Sequence, residues 1–139
     1  MTIAVDFDGT IVTHEYPRIG KPIPFAIETL KRLEQEQHNI ILWTVREGPL
    51  LEEALNYCKS RGLEFYAVNS NYQEIMENEI FPRKLTADVY IDDHNLGGLP
   101  DWGVIYQMIH NGAALKPYSP DTQINTPQKK RGLFGLFRN

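Results

Sequence analysis

The apolar run Ile3-Ala4-Val5 passes directly into Asp6-Phe7-Asp8-Gly9-Thr10, and that junction constrains the fold more than any other stretch of the chain. A buried strand ending in two carboxylates needs a positive charge nearby, because unpaired carboxylates at that spacing repel and resist ionisation. Strand side chains alternate faces, so Asp6 and Asp8 are expected to project the same way and share one cation. A hard divalent ion with oxygen ligands, Mg²⁺ first among them, removes the conflict. Gly9 frees the backbone for a sharp turn, and amides there, with Thr10, can face an anion. The plainer reading is a polar turn closing a strand, since Asp-Gly is a common turn pair. Context decides between the two.

The rest of the chain alternates strand and helix patterns. Residues 3–7, 40–43, 65–68 and 87–91 read as strands, the second a continuous apolar run ending at Thr44. Residues 11–24 hold Pro17, Gly20, Pro22 and Pro24, which predicts a loop or small hairpin over the first strand end. Pro24 suits the first turn of a helix carrying Ile27, Leu30 and Leu33. Gly48-Pro49 opens a second, with Leu51, Ala54, Leu55 and Cys58 on one face and Gly62 as its stop. Asn69-Ser70-Asn71 is expected to cap a short helix through Ile75 and Met76, and Asp101 a last one carrying Val104, Ile105, Met108 and Ile109 up to Gly112. The alternation implies βαβ units in an α/β fold: a doubly wound, Rossmann-like parallel sheet in three α/β/α layers.

At 139 residues the chain is long enough for one well-buried core and too short for two. One domain is expected over 1–116, with a flap at 11–24. A Pro-, Ser- and Asn-rich tail over 117–139 ends in a basic and apolar segment. That tail carries Lys129, Lys130, Arg131 and Arg138 against a single acid, Asp121. It could meet an anionic membrane or a partner groove, but its glycines favour a mobile tail. A net charge of −4 gives no support to stable nucleic-acid binding. No apolar run reaches membrane-spanning length. The first strand begins at the start of the sequence, leaving no room for a signal peptide, and Cys58 has no partner for a disulfide. A cytoplasmic location is the resulting expectation.

Ligands of open parallel sheets bind at the carboxyl ends of the strands. Polar groups end three of the strands there: Asp6 and Asp8, Thr44, and Asp92 with Asp93. Asn69 ends the remaining one, and Lys84 lies nearby in sequence. The set suits one task, carboxylates for a cation and a hydroxyl and an ammonium for a phosphate. Adjacent residues on an extended chain point oppositely, so Asp92 is expected inside as a metal ligand and Asp93 behind it, acting through water or a hydrogen bond.

Four motifs in order, Asp6-Phe7-Asp8-Gly9-Thr10, Ile40-Ile41-Leu42-Trp43-Thr44, Lys84 and Tyr90-Ile91-Asp92-Asp93, resemble those of the haloacid dehalogenase-like (HAD) superfamily, most of whose members hydrolyse phosphate esters. The resemblance implies that Asp6 is the nucleophile and forms an aspartyl-phosphate, while Asp8 is the general acid/base. It implies that Asp6, the Asp8 backbone carbonyl and Asp92 hold Mg²⁺, that Thr44 binds the phosphoryl group and that Lys84 braces it. Asp8 favours ester hydrolysis, since related P-type ATPases carry Thr there and haloacid dehalogenases lack the Asp.

The intervals between motifs leave no space for a cap domain. A capless relative implies either a bulky or macromolecular phosphorylated substrate, or a roof supplied by a homo-oligomer. His14, Tyr16, Arg18, Arg46, Asn69 and His94 are the candidate selectors. Arg46 either grips a second phosphate or carboxylate or pairs with Glu47 or Glu52. The expected function is that of a Mg²⁺-dependent phosphatase. The alternatives are a phosphotransferase or polynucleotide phosphatase of the same fold, and a non-catalytic phosphate- and metal-binding signalling module. A receiver-type signalling domain fits less well, because no acidic residue ends a middle strand.

Overall fold

A computed structural model describes residues 1–74, 79–80 and 82–112. Its strands are β1 (Thr2–Val5), β2 (Asn39–Leu42), β3 (Ala67–Val68) and β4 (Val89–Ile91). Its helices are α1 (Ala26–Gln35), α2 (Gly48–Lys59) and α3 (Trp102–His110). All pairings are parallel, in the order β3-β2-β1-β4. Ile3 aligns with both Ile40 and Val89, and Val5 with both Leu42 and Ile91. Past their first residues, Thr2 and Asn39, the two central strands are apolar and buried because both their faces are covered.

Side-chain alternation divides the core. Ile3 and Val5 of β1 and Ile40 and Leu42 of β2 face one cluster, which also takes Ala26, Ile27, Leu30 and Leu33 of α1, Ala54 and Cys58 of α2, and Trp102, Ile105 and Ile109 of α3. Ala4 and Ile41, pointing the other way, meet Ala67 and Leu85, with Ala87 and Tyr90 packed alongside. The three described helices therefore bury their apolar stripes against one face of the sheet. Leu85 and its neighbours cover the other. The expected short helix after Asn71 falls at Ile75 and Met76 outside the described residues, as does the tail over 117–139.

Boundaries differ from expectation for local reasons. α1 starts after Pro24, because Phe25 takes a left-handed conformation at φ 66° and forms its N-cap. β3 and β4 are shorter than the apolar runs suggest. At the start of β4 the Asp88 side chain accepts from Thr2 N at 2.7 Å. α3 is capped as expected, Asp101 accepting from Gly103 N at 2.8 Å. Its buried stripe, however, is Trp102, Ile105, Tyr106 and Ile109, while Val104 and Met108 are exposed. Burial pushes the Cys58 thiol up to about 12, which leaves it a packing residue. Among the described residues no helix is long and apolar enough to cross a membrane.

The flap forms as a small hairpin. Thr13 N donates to Lys21 O at 2.7 Å, and Ile23 N to Ile11 O at 3.0 Å. Gly20 is required at its neck: a Cβ there would lie 1.9 Å from Thr13 O.

Candidate functional site

The chain leaves β1 toward β2 and β3, then returns to the other side of β1 as β4. The strand order thus reverses between β1 and β4, and the carboxyl ends of those strands border the crevice that such sheets use for ligands. Backbone pairing runs on past Val5, with Asp6 N donating to Ile91 O at 3.0 Å. Asp6 is thereby set beside Asp92 and Asp93, which follow Ile91. One carboxylate oxygen from each of the three lies within 4.8 Å of the other two, and all three residues are half-buried.

This corrects the expectation that Asp93 stays behind Asp92. The chain is not extended there: it turns, with Asn95 N donating to Asp92 O at 3.2 Å and His94 N to Asp92 Oδ1 at 2.8 Å. The turn brings both carboxylates toward Asp6. Thr10 secures Asp93, accepting from its N–H at 3.1 Å and donating to its Oδ1 at 3.4 Å. Gly9, at φ +82°, leaves the space that Asp93 fills; a Cβ on it would sit 2.2 Å from Asp93 Oδ2.

Crowding shows in the electrostatics. Burial pushes the Asp6 carboxyl up to about 7; a hydrogen bond from the Phe7 backbone opposes this, and the charges of Asp92, Asp93 and Asp8 add to it. Two carboxylates, Asp92 and Asp93, converging on a half-buried third that resists ionisation make a donor set that a hard cation suits. Mg²⁺ fits these residues.

Asp8 is not a member of that cluster, so the expected sharing of a cation by the Asp6 and Asp8 carboxylates is corrected. Its oxygens are taken by Arg46: Nε donates to Oδ2 and Nη2 to Oδ1, each at 2.8 Å. Arg46 is fully buried, and Asp8 raises its already high proton affinity. Its other N–H groups go to Pro17 O at 3.0 Å, Arg18 O at 2.9 Å and Leu50 O at 3.4 Å. All five guanidinium donors are thus spent. Arg46 therefore binds neither a substrate phosphate nor Glu47 or Glu52.

A cleft of about 420 Å³ opens above these groups, lined by Asp6, Asp8, His14, Tyr16, Trp43, Thr44, Val45, Asp92 and His94. Thr44 reaches it as expected. Its loop is held by Asn69 Oδ1, which accepts from Thr44 N at 2.8 Å, and by its own Oγ1, which accepts from Arg46 N at 3.1 Å. Asn69 thus supports the cleft without lining it. Among the flap residues His14 and Tyr16 line the cleft, and Arg18 contributes only its carbonyl.

Two expectations fare less well. Lys84 is not among the lining residues; its Nζ lies 5.7 Å from the Tyr90 ring centroid, and that ring packs on Trp43 at 5.3 Å. The Gly9–Thr10 turn offers no anion nest, because Gly9 N donates to Val12 O and Thr10 N to Phe7 O. Thr10 is instead buried, its carbonyl accepting from Trp102 Nε1 at 3.1 Å. The Asp8–Arg46 pair and the role of Asn69 went unread in the sequence. Neither has a local signal, since the partners lie 38 and 25 residues apart.

The fold and site together define a small parallel α/β protein with an acidic centre at the switch point of its sheet. A solved structure of a conserved protein from Bacteroides thetaiotaomicron is 61% identical to this chain, covering 85% of it and 98% of that protein, with a TM-score of 0.77. The chain belongs to the same family as that protein. No protein-family model matches the sequence, and no curated protein matches it.

Proposed function

We propose that the protein is a Mg²⁺-dependent phosphohydrolase of the haloacid dehalogenase-like type, capless, with a doubly wound three-layer fold, acting through an aspartyl-phosphate. The observation that carries this reading is the meeting of Asp6, Asp92 and Asp93 where the strand order reverses, with Asp6 and Asp92 lining the cleft. A bound divalent cation would supply the positive charge that lets a carboxylate approach an anionic ester. Asp6, Asp92 and Asp93 would hold it.

Asp6 attacks phosphorus through a carboxylate oxygen; the bond from phosphorus to the ester oxygen breaks, and the leaving alkoxide takes a proton. Water then attacks the same phosphorus, the bond to Asp6 breaks, and inorganic phosphate leaves. Asp8 lines the same cleft and serves as the acid/base, giving the first proton and taking one from the water. Each Asp8 oxygen keeps a second lone pair beyond its Arg46 bond, so it can carry that proton while Arg46 holds the carboxyl oriented. Thr44 offers a hydroxyl to the phosphoryl oxygens.

A second reading, a metal- and phosphate-binding module without turnover, draws on both Asp8 oxygens being held by Arg46 and on Lys84 not lining the cleft. Turnover of p-nitrophenyl phosphate separates the two. The phosphohydrolase reading expects release of p-nitrophenol that needs Mg²⁺ and is abolished by Asp6→Asn. Mg²⁺ binding with no turnover favours the second reading, and turnover surviving Asp6→Asn removes the covalent route.

A further inference from the structure

We propose that Arg46 is a positioning residue that ties the flap to Asp8, so that the flap wall of the cleft and the acid/base carboxylate are set by one buried post. The inference deepens the phosphohydrolase reading and rests on it for the role of Asp8. Three observations meet in this one side chain. Its Nε and Nη2 hold both oxygens of Asp8 at 2.8 Å. Its Nη1 and Nη2 also hold the carbonyls of Pro17 and Arg18, at the tip of the flap. Its guanidinium lies 5.1 Å from the Phe7 ring centroid and 5.3 Å from that of Tyr16, a residue of the cleft wall.

Burial makes the coupling obligatory. A guanidinium with no solvent around it has nothing to replace a lost acceptor, so an unpaired N–H there is costly. If the flap lifts, Arg46 loses the Pro17 and Arg18 carbonyls and follows them or takes in water; either change loosens its hold on Asp8. If Asp8 turns away, a buried cation is left without its counter-charge and the flap loses its anchor. Flap and carboxylate therefore share one arrangement, although among the described residues the Asp8 side chain bonds to nothing in the flap itself. Arg46 meanwhile makes no bond to Asp6, Asp92 or Asp93, so metal binding stands outside the link.

Two substitutions break the link from opposite ends. Arg46→Lys keeps the charge but cannot hold two carboxylate oxygens and two carbonyls from one planar group. Gly20→Ala puts a methyl group 1.9 Å from Thr13 O, which displaces the flap without touching Asp8 or Arg46. Each is expected to lower kcat for p-nitrophenyl phosphate by about 100-fold, the loss that a misplaced catalytic group brings, while Mg²⁺ affinity measured by calorimetry stays at the wild-type value. Because both cut the same connection, the double variant is expected to be no worse than the poorer single one. Should Arg46→Lys fail to fold, Gly20→Ala alone still decides: wild-type kcat in that variant overturns the proposal, and so do losses that multiply in the double variant. An arm independent of turnover keeps this separate from the phosphohydrolase reading. In Asp8→Asn, hydrogen exchange of the flap amides of Thr13 and Ile23 is expected to quicken at least tenfold over wild type. Unchanged exchange overturns the link. If the wild-type protein hydrolyses nothing, the phosphohydrolase reading fails while the exchange result still stands or falls by itself.

Discussion

At the residue scale, the centre is governed by where charge has nowhere to go. Asp6 stays protonated up to about pH 7 in the folded metal-free protein, chiefly through burial, whereas an unperturbed carboxyl titrates at 3.8. Between those values the folded state binds a proton that the unfolded chain has released. Stability therefore falls as pH rises across that window and levels off above it. Urea unfolding of the metal-free protein from pH 4 to 8 is expected to show this decline, and Asp6→Asn to remove it. Added Mg²⁺ is expected to recover stability at pH 7 to 8, since it takes the place of the proton. Gly9 supplies a second residue-scale test. Gly9→Ala meets both an unfavourable φ and the Asp93 carboxylate, so it is expected to weaken Mg²⁺ binding at least tenfold by calorimetry, in line with the loss from misplaced ligand supports.

At the element scale, the centre depends on α3 as well as on the strands that carry its carboxylates. The Trp102 indole at the start of α3 donates to Thr10 O, and Thr10 in turn holds Asp93. α3 is tied to α1 by Tyr106, whose hydroxyl donates to Glu36 Oε1 at 2.6 Å, with Arg32 4.3 Å above its ring. Asp101→Ala removes the side-chain N-cap of α3 and is expected to cost about 1 kcal/mol of stability by urea denaturation, with a smaller effect on Mg²⁺ affinity than Gly9→Ala.

Much of this level was legible in the sequence. Ile40-Ile41-Leu42 could only be a central strand, because each face of the sheet had to receive an apolar side chain, and Asp101 announced α3. The stripe of α3 was misread because Val104 and Met108 fit a helical period as well as Trp102 and Tyr106 do. Hydrophobicity alone does not say which of two adjacent stripes meets α1. Thr10 was misassigned for a related reason: a hydroxyl beside a turn glycine suits an anion as well as it suits a buried bond to a neighbouring loop.

At the scale of the whole molecule, the strand order does what no single motif can. By reversing between β1 and β4 it sets Asp6 beside residues more than eighty positions away in sequence, and it leaves the flap hairpin over the same edge. The carboxylates at the strand ends were readable one by one. Their partners were not: Arg46 pairs with Asp8 across 38 residues, and Asp93 joins Asp92 only because the chain turns just after β4. Pairings of that range follow from how the elements close on each other, which local pattern does not encode.

The proposed function requires Asp6, Asp92 and Asp93 together to hold one divalent cation. Anomalous diffraction from crystals soaked in Mn²⁺, a Mg²⁺ surrogate, tests it directly. One strong peak is expected within ligand distance of carboxylate oxygens from all three residues, lost in Asp6→Asn. A peak elsewhere, or none at this cluster at saturating Mn²⁺, contradicts it.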